Sequence, residues 1–264
     1  MLGHQLMRQL PAQVETWGSV RGPTEPQNRL LGGVEAENLD SLRTALDQVQ
    51  PQVVINAIGL IKQLNGRRAD LIYLNALFPH RLLELCQARQ VRLIHLSTDC
   101  VFSGRVGNYR ESDVADPLDD YGRTKLLGEL EAVGALTLRT SIIGRERPQG
   151  LGLIEWFHRQ RGGTVRGFRR ALYSGLTTAE LGRLLLRLIV EFPGLDGLWH
   201  VASQSISKFD LLYRYNELAG LGIEVVPSDD FVCDRSLNGQ RFESETGYQA
   251  PSWETMLAEL VRSQ

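Results

Sequence analysis

Residues His95 to Lys125 read HLSTDCVFSGRVGNYRESDVADPLDDYGRTK, and this stretch decides how the rest of the chain is read. The apolar run Val91 to Leu96 predicts a short strand that ends in a polar elbow, Ser97-Thr98-Asp99. After a loop, a helix opens at Tyr121 and carries Lys125 one turn later, so the phenol and the ammonium share a face. A strand-end hydroxyl facing that pair makes a set of groups able to put a proton on a carbonyl oxygen. The Tyr-x-x-x-Lys spacing alone is common on solvated helices. An earlier apolar run from Pro51, PQVVINAIGL, gives it meaning, because it also ends in polar and small residues, Asn56-Ala57-Ile58-Gly59. Two neighbouring strand ends of this kind suit a crevice for a dinucleotide.

Outward from that stretch the pattern alternates. Leu2, Leu6 and Leu10 predict a helix face, Gln13 to Val20 a strand, and Leu39 to Val49 a helix capped by Asn38 or Asp40. Asn65 to Arg89 reads as one long helix with a kink or a boundary at Pro79, and Ala135 to Ile143 as a further strand. The order predicts an α/β chain with a Rossmann-like doubly wound parallel sheet and ligands at the carboxyl ends of its strands. Beyond Gly144 the rhythm is lost. Leu153 to Gln160 is helical, Thr164 to Leu172 is a basic stretch of no fixed form, and Thr178 to Phe192 is a strong amphipathic helix. Gly197 to Ala202 is a strand, Ser207 caps a helix to Leu218, Ile223 to Pro227 follows, and a helix from Ser252 ends the chain. Residues 1–145 and 175–203 are therefore assigned to the nucleotide-binding domain, and 146–174 and 204–264 to a smaller substrate lobe.

The 264 residues carry a net charge of −2, with 42% hydrophobic and 23% charged side chains. That composition is ordinary for a globular protein and gives no electrostatic case for nucleic acid or a membrane surface. No apolar run reaches the length of a membrane span, and a cytoplasmic location is expected. The three cysteines, Cys86, Cys100 and Cys233, lack metal-site spacing, and no metal is expected. Cys100 has no imidazole to activate it and reads as packing. Arg166, Arg169 and Arg170 form a basic cluster suited either to a diphosphate or to a solvated face. Trp156 falls where a substrate lip would lie.

Nine segments give the chain a family resemblance: MLGHQL, VVINAIG, LIYLNALFPHRL, LSTDCVFSG, YRESDVADPLDDYGRTKLLGE, LRTSIIG, GLWHVAS, DRSLNGQRF and TGYQAPSWETML. Their order resembles that of the extended short-chain dehydrogenase/reductases, in the dTDP-4-dehydrorhamnose reductase branch. The resemblance implies NAD(P)H-dependent reduction of the C4 ketone of a nucleotide-linked 4-keto-6-deoxy sugar, for surface polysaccharide. It makes Tyr121 the acid, Lys125 the charge that eases phenolate formation and holds the nicotinamide ribose, and Thr98 the donor to the substrate oxygen. Asn56, Ala57 and Gly59 match the loop beside the cofactor, Asn75 a helix position that orders the site, and Arg235 a substrate contact. Sibling dehydratases carry an Asp-Glu pair after the hydroxyl residue; here Asp99 is followed by Cys100, which disfavours water loss.

The chain departs from the family at its start. Of the G-x-x-G-x-x-G fingerprint it holds Gly3, the last glycine, without the first strand or the first two glycines. Truncation of a longer protein is the expected reason, with weakened dinucleotide binding and stability. After the second strand, Ser19 and Arg21 replace a carboxylate, which leans the cofactor toward NADP(H) over NAD(H). The expected partner is a nucleotide sugar, with a homodimer through helices such as 65–89 left open. Two alternatives also stand: a non-catalytic regulatory or binding subunit on this fold, and a sugar-nucleotide epimerase using the same three groups.

Overall fold

The structure is a computed structural model that describes residues 1–24, 29–61, 67–146 and 150–262. Its main sheet has four parallel strands in the order Gly197–His200, Ala135–Arg139, Arg92–Leu96, Val53–Asn56. The register sets Asn56 beside His95 and Leu96 beside Leu138, so the carboxyl ends form one rim. Ala135–Arg139 is buried along its whole length, and Leu93 and Ile94 are fully covered. Burial on both faces explains why these segments read as continuous apolar runs.

Helices cover both faces. On one, Leu2, Leu6 and Leu10 join Leu181, Leu184, Leu185 and Leu188 against Ile94, Leu136 and Leu138. The spacing of four along Leu2–Gln9 is thus a buried stripe, and Gln9 Nε2 ties it to the carbonyl of Ala179 at 3.3 Å. On the other face, Leu42, Leu46, Phe78, Leu82 and Leu85 pack over Leu93. Asn38 caps the helix Leu39–Val49 by accepting from the amides of Asp40 and Ser41, and Ser207 caps Lys208–Ala219 by accepting from Asp210.

A second, two-stranded parallel sheet pairs Gly18–Ser19 with Leu30–Leu31. Among the described residues it does not hydrogen-bond to Val53–Asn56, so the doubly wound sheet stands in two pieces. Of the predicted strand Gln13–Val20 only Gly18–Ser19 pairs, because Leu10–Ala12 continues the first helix as a 3₁₀ turn. Ala135–Ile143 is likewise broken into Ala135–Arg139 and Ile142–Ile143. The two-residue strand Leu30–Leu31 and the polar helix Gln240–Thr246 give no periodic signal in the sequence.

The long helix runs Arg68–Leu71, then a π turn Ile72–Leu77, then Phe78–Gln87; the expected start at Asn65 lies outside the described residues. The widened turn precedes Pro79 instead of centring on it. Proline has no N–H for the carbonyl of Asn75, four residues back, and its ring crowds that group. Gly128 lies against the same carbonyl, so closely that a Cβ there would overlap the oxygen. Gly128→Ala is expected to lower stability by about 1–3 kcal/mol, read as a lower urea midpoint with unchanged slope.

In the C-terminal part, Thr164–Phe168 pairs in parallel with Glu224–Ser228, and Ala171–Tyr173 lies between Ile206–Ser207 and Cys233–Asp234. The basic stretch 164–172 is therefore strand, turn and strand. A third small core of Val101, Phe102, Tyr109 and Leu237 joins the loop after the elbow to the tail. Phe102 and Tyr109 stack with ring centroids 4.2 Å apart, and Tyr109 bridges to Leu237. This core carries Cys233 and Arg235 to the strand-end rim.

Candidate active site

The strand Arg92–Leu96 delivers Thr98 in extended conformation, and its hydroxyl accepts from the amide of Cys100 at 3.2 Å to start a single 3₁₀ turn. Asp119 caps the helix Asp120–Leu127 by accepting from Gly122 N at 2.8 Å, which places Tyr121 in the first turn and Lys125 one turn on. Gly122 lets the helix abut the elbow; a Cβ there would overlap the carbonyl oxygen of Cys100. That abutment sets Tyr121, in the first turn of the helix, beside the elbow. Burial pushes the phenol well above its ordinary value of 10; Cys100 adds to that, and the bond to Thr98 opposes it.

Lys125 is 6% exposed and donates from Nζ to the carbonyl of Leu96 at 2.6 Å. Burial brings its ammonium down to about 8, with Glu129 holding it up. Asn75, fully buried, accepts from Leu60 N at 2.9 Å and donates to Leu60 O at 3.0 Å and to Thr124 Oγ1 at 3.4 Å. It thus ties the loop after Gly59 to the helix of Lys125. Asn56 is buried, bonds Nδ1 of His95 at 3.1 Å and accepts from Ile58 N at 3.0 Å, which turns Ala57, Ile58 and Gly59 outward as an exposed ledge.

Beneath the elbow sits a charged support. Ser97 Oγ donates to Glu129 Oε1 at 2.6 Å, and Arg139 donates to both Glu129 oxygens at 2.8 and 2.7 Å. Both partners of that ion pair are 6% exposed. His200 lies behind, 3.2 Å from Arg139 Nη1, and burial brings its imidazole down to about 4.

On the side facing the C-terminal part, Arg235 donates from Nε to Phe102 O at 2.9 Å and from Nη1 to Cys100 Sγ at 3.4 Å. Lys208 places its ammonium 3.8 Å from the ring centroid of Tyr173. The other residues expected at the site are spread more widely. Gly3 is exposed in the first turn of Leu2–Gln9, and Ser19 and Arg21 are exposed at the end of the short sheet. Trp156 is 37% exposed on the helix Leu153–His158. Arg166 pairs with Asp230 at 3.1 Å and Arg169 with Asp229, so both guanidinium groups already have carboxylate partners.

Glu129, Arg139, Tyr173 and Lys208 were not singled out by the sequence. Glu129 had a readable signal, since it stands four residues past Lys125 as Lys125 stands past Tyr121. Lys208 and Tyr173 had none: their meeting depends on which lobe strands pair.

The comparisons with known proteins accord with this arrangement. Residues 1–152 match the family described as RmlD substrate binding domain. The probable low-salt glycan biosynthesis reductase Agl14 of Haloferax volcanii is 31% identical over 255 residues, covering 87% of this chain and 83% of that protein. The crystal structure of a hypothetical dTDP-4-dehydrorhamnose reductase from Sulfolobus tokodaii superposes with a TM-score of 0.78 at 26% identity, over 96% of this chain and 94% of that one. The dTDP-4-dehydrorhamnose reductase of Bacillus anthracis, in complex with NADP, has a TM-score of 0.79 at 20% identity over 100% and 95%, and it shows the fold. The order of the strands, the elbow, the Tyr121 helix and the span of these matches place the chain in the RmlD substrate binding domain family, within the extended short-chain dehydrogenase/reductases.

Proposed function

We propose that the chain reduces the C4 ketone of a nucleotide-linked 4-keto-6-deoxy sugar with NAD(P)H. The observation that carries this reading is the placement of Thr98 just past the central strand Arg92–Leu96 and of Tyr121 and the buried Lys125 one turn apart on the helix Asp120–Leu127, with Lys125 Nζ bonded to the carbonyl of Leu96. The nicotinamide half of the cofactor fits what is present. The exposed ledge Ala57-Ile58-Gly59 offers small and apolar surface beside a buried amine, and Asn56 and Asn75 fix that ledge from below. Gly3 stands at a helix start suited to phosphate, while Ser19 and exposed Arg21 favour the 2′-phosphate of NADP(H) over NAD(H). When bound, the cofactor supplies the hydride.

The residues of this chain handle the charge that hydride addition creates. As the carbonyl oxygen becomes negative, Thr98 donates to it and Tyr121 transfers its proton. A phenol raised by burial is a reluctant acid, so the phenolate it leaves needs the positive field of Lys125. Asn75 and the carbonyl of Leu96 hold the helix and the amine in place. Residues 146–174 and 204–264 are assigned to the nucleotide sugar, with Arg235, half-buried and bonded to Cys100, as the contact nearest the ketone.

The test is NADPH oxidation by the purified chain with dTDP-4-dehydro-6-deoxyglucose or its epimerised 4-keto product. Substrate-dependent oxidation with one reduced sugar formed per NADPH is expected; no oxidation with either ketone removes the reading. The pH profile has a defined sign. Lys125 is charged below about 8 and neutral above it, while the phenol stays protonated far higher. Turnover therefore falls as pH rises through about 8, and the alkaline limb belongs to Lys125.

A further inference from the structure

His95 is fully buried, and its Nε2 has no hydrogen-bond partner among the described residues. A polar nitrogen left unpaired inside a sheet is a cost that an apolar residue would not incur. The other ring nitrogen shows what the histidine supplies. His95 is the ladder partner of Asn56 on the neighbouring strand, and its Nδ1 lies 3.1 Å from Asn56 Nδ2. Asn56 Oδ1 in turn accepts from Ile58 N at 3.0 Å, and Ala57 N donates to Ile55 O at 3.1 Å. The chain therefore turns sharply as it leaves the strand Val53–Asn56.

These contacts fix where the protons are. The amide of Ile58 can only donate, so the Asn56 oxygen faces it and the Asn56 NH₂ faces the imidazole. His95 Nδ1 is then an acceptor, and the ring proton sits on Nε2, the atom without a partner. Burial, helped by Lys125 and His80, holds the imidazole well below its ordinary pKa, so Nδ1 keeps its lone pair. A flipped Asn56 amide would set oxygen against that lone pair and NH₂ against the Ile58 N–H. Both contacts would repel, so the amide has one orientation.

We propose that His95 is a positioning residue for the dinucleotide: as an acceptor it holds Asn56 in the orientation that shapes the Ala57-Ile58-Gly59 ledge for the nicotinamide half of the cofactor. This inference rests on the proposed NAD(P)H-dependent reduction and deepens it. His95 acts through Asn56 and is itself buried beneath the ledge. Asn75 holds the far end through both backbone groups of Leu60, which leaves the near end, at Ile58, dependent on Asn56. Without the acceptor, Asn56 loses its fixed orientation, and cofactor binding has to order the ledge first. The effect falls on the dinucleotide and leaves the sugar ketone alone.

The experiment has two readouts that need no turnover. Nitrogen-15 NMR of the cofactor-free chain should show His95 with its proton on Nε2 and none on Nδ1 near neutral pH. Direct titration with NADPH then compares His95→Leu, which has similar bulk and no acceptor, with His95→Asn, whose Oδ1 can stand where Nδ1 stands. His95→Leu should raise the NADPH Kd about 10-fold, and His95→Asn should stay within about 3-fold of the unaltered chain. KM for the ketone, measured at saturating NADPH, should stay within about 2-fold in both. A proton on Nδ1 of the unaltered chain overturns the inference whether or not either variant folds. An unchanged Kd in His95→Leu overturns it, and so does equal weakening in both variants, which would make His95 a packing residue. A ketone KM that rises in step with the Kd overturns it as well. In each of these cases ketone reduction by the unaltered chain leaves the reductase reading intact. An unaltered chain that binds no NADPH overturns that reading and this inference with it.

Discussion

Replacing Tyr121 by Phe is expected to lower kcat by about 10³-fold with KM changed only a few-fold. The substitution removes one hydroxyl and leaves the ring in its place against the elbow. Thr98 still donates to the substrate oxygen, so ground-state binding survives, but no proton reaches the oxygen as it becomes an alkoxide. The split between kcat and KM carries the argument: an interaction made only in the transition state lowers kcat and kcat/KM together. A variant that keeps turnover within a few-fold would show that Tyr121 is not the acid. The same variant separates the enzyme from a regulatory subunit on this fold, whose effect on a partner would not depend on one phenol.

Replacing Glu129 by Gln should be the most damaging change away from the reacting groups, costing about 3–5 kcal/mol of stability. Glu129 accepts from Ser97 and from two nitrogens of Arg139, and the pair is 6% exposed on both sides. An amide leaves the guanidinium without a counter-charge where water cannot reach it. Most of the loss is that exposed penalty, so Glu129→Gln combined with Arg139→Met should recover a large part of it. Urea unfolding of the two single variants and the double variant measures this; a loss under about 1 kcal/mol in Glu129→Gln would mean that water already screens the pair. Ser97→Ala, which removes one hydrogen bond to the carboxylate, should cost about 1 kcal/mol. Because Glu129 also supports the charge on Lys125, the alkaline limb of any remaining activity should move to lower pH.

The sequence revealed the parts of this site that are local. The apolar strand before Thr98, the helix opening near Tyr121 and the four-residue step from Tyr121 to Lys125 are set by neighbours in the chain, and periodicity finds such features. The central sheet was legible for the same reason, since strands buried on both faces leave unbroken apolar runs. Lys208 carried no signal in the sequence, and only the pairing of Ala171–Tyr173 with Ile206–Ser207 brings it to Tyr173. Cys100 read as packing because no imidazole lies near it in the chain; its partner, Arg235, lies 135 residues away. The basic cluster at Arg166 and Arg169 was open between a diphosphate and a solvated face, and only the paired strands bring Asp230 and Asp229 to it. Strand length was the weakest reading, because a two-residue bridge such as Leu30–Leu31 has no period to detect.

The long reach of that tail has a kinetic consequence. Bonds from Arg235 close loops of 133 and 135 residues onto Phe102 and Cys100. Contacts of such separation form late in folding, after local helices and neighbouring strands. During synthesis, Thr98, Tyr121 and Lys125 can be brought together while the segment that bonds to Phe102 and Cys100 is still inside the ribosome. A nascent chain released before residue 235 would hold that strand-end corner without the two bonds that tie it to the tail.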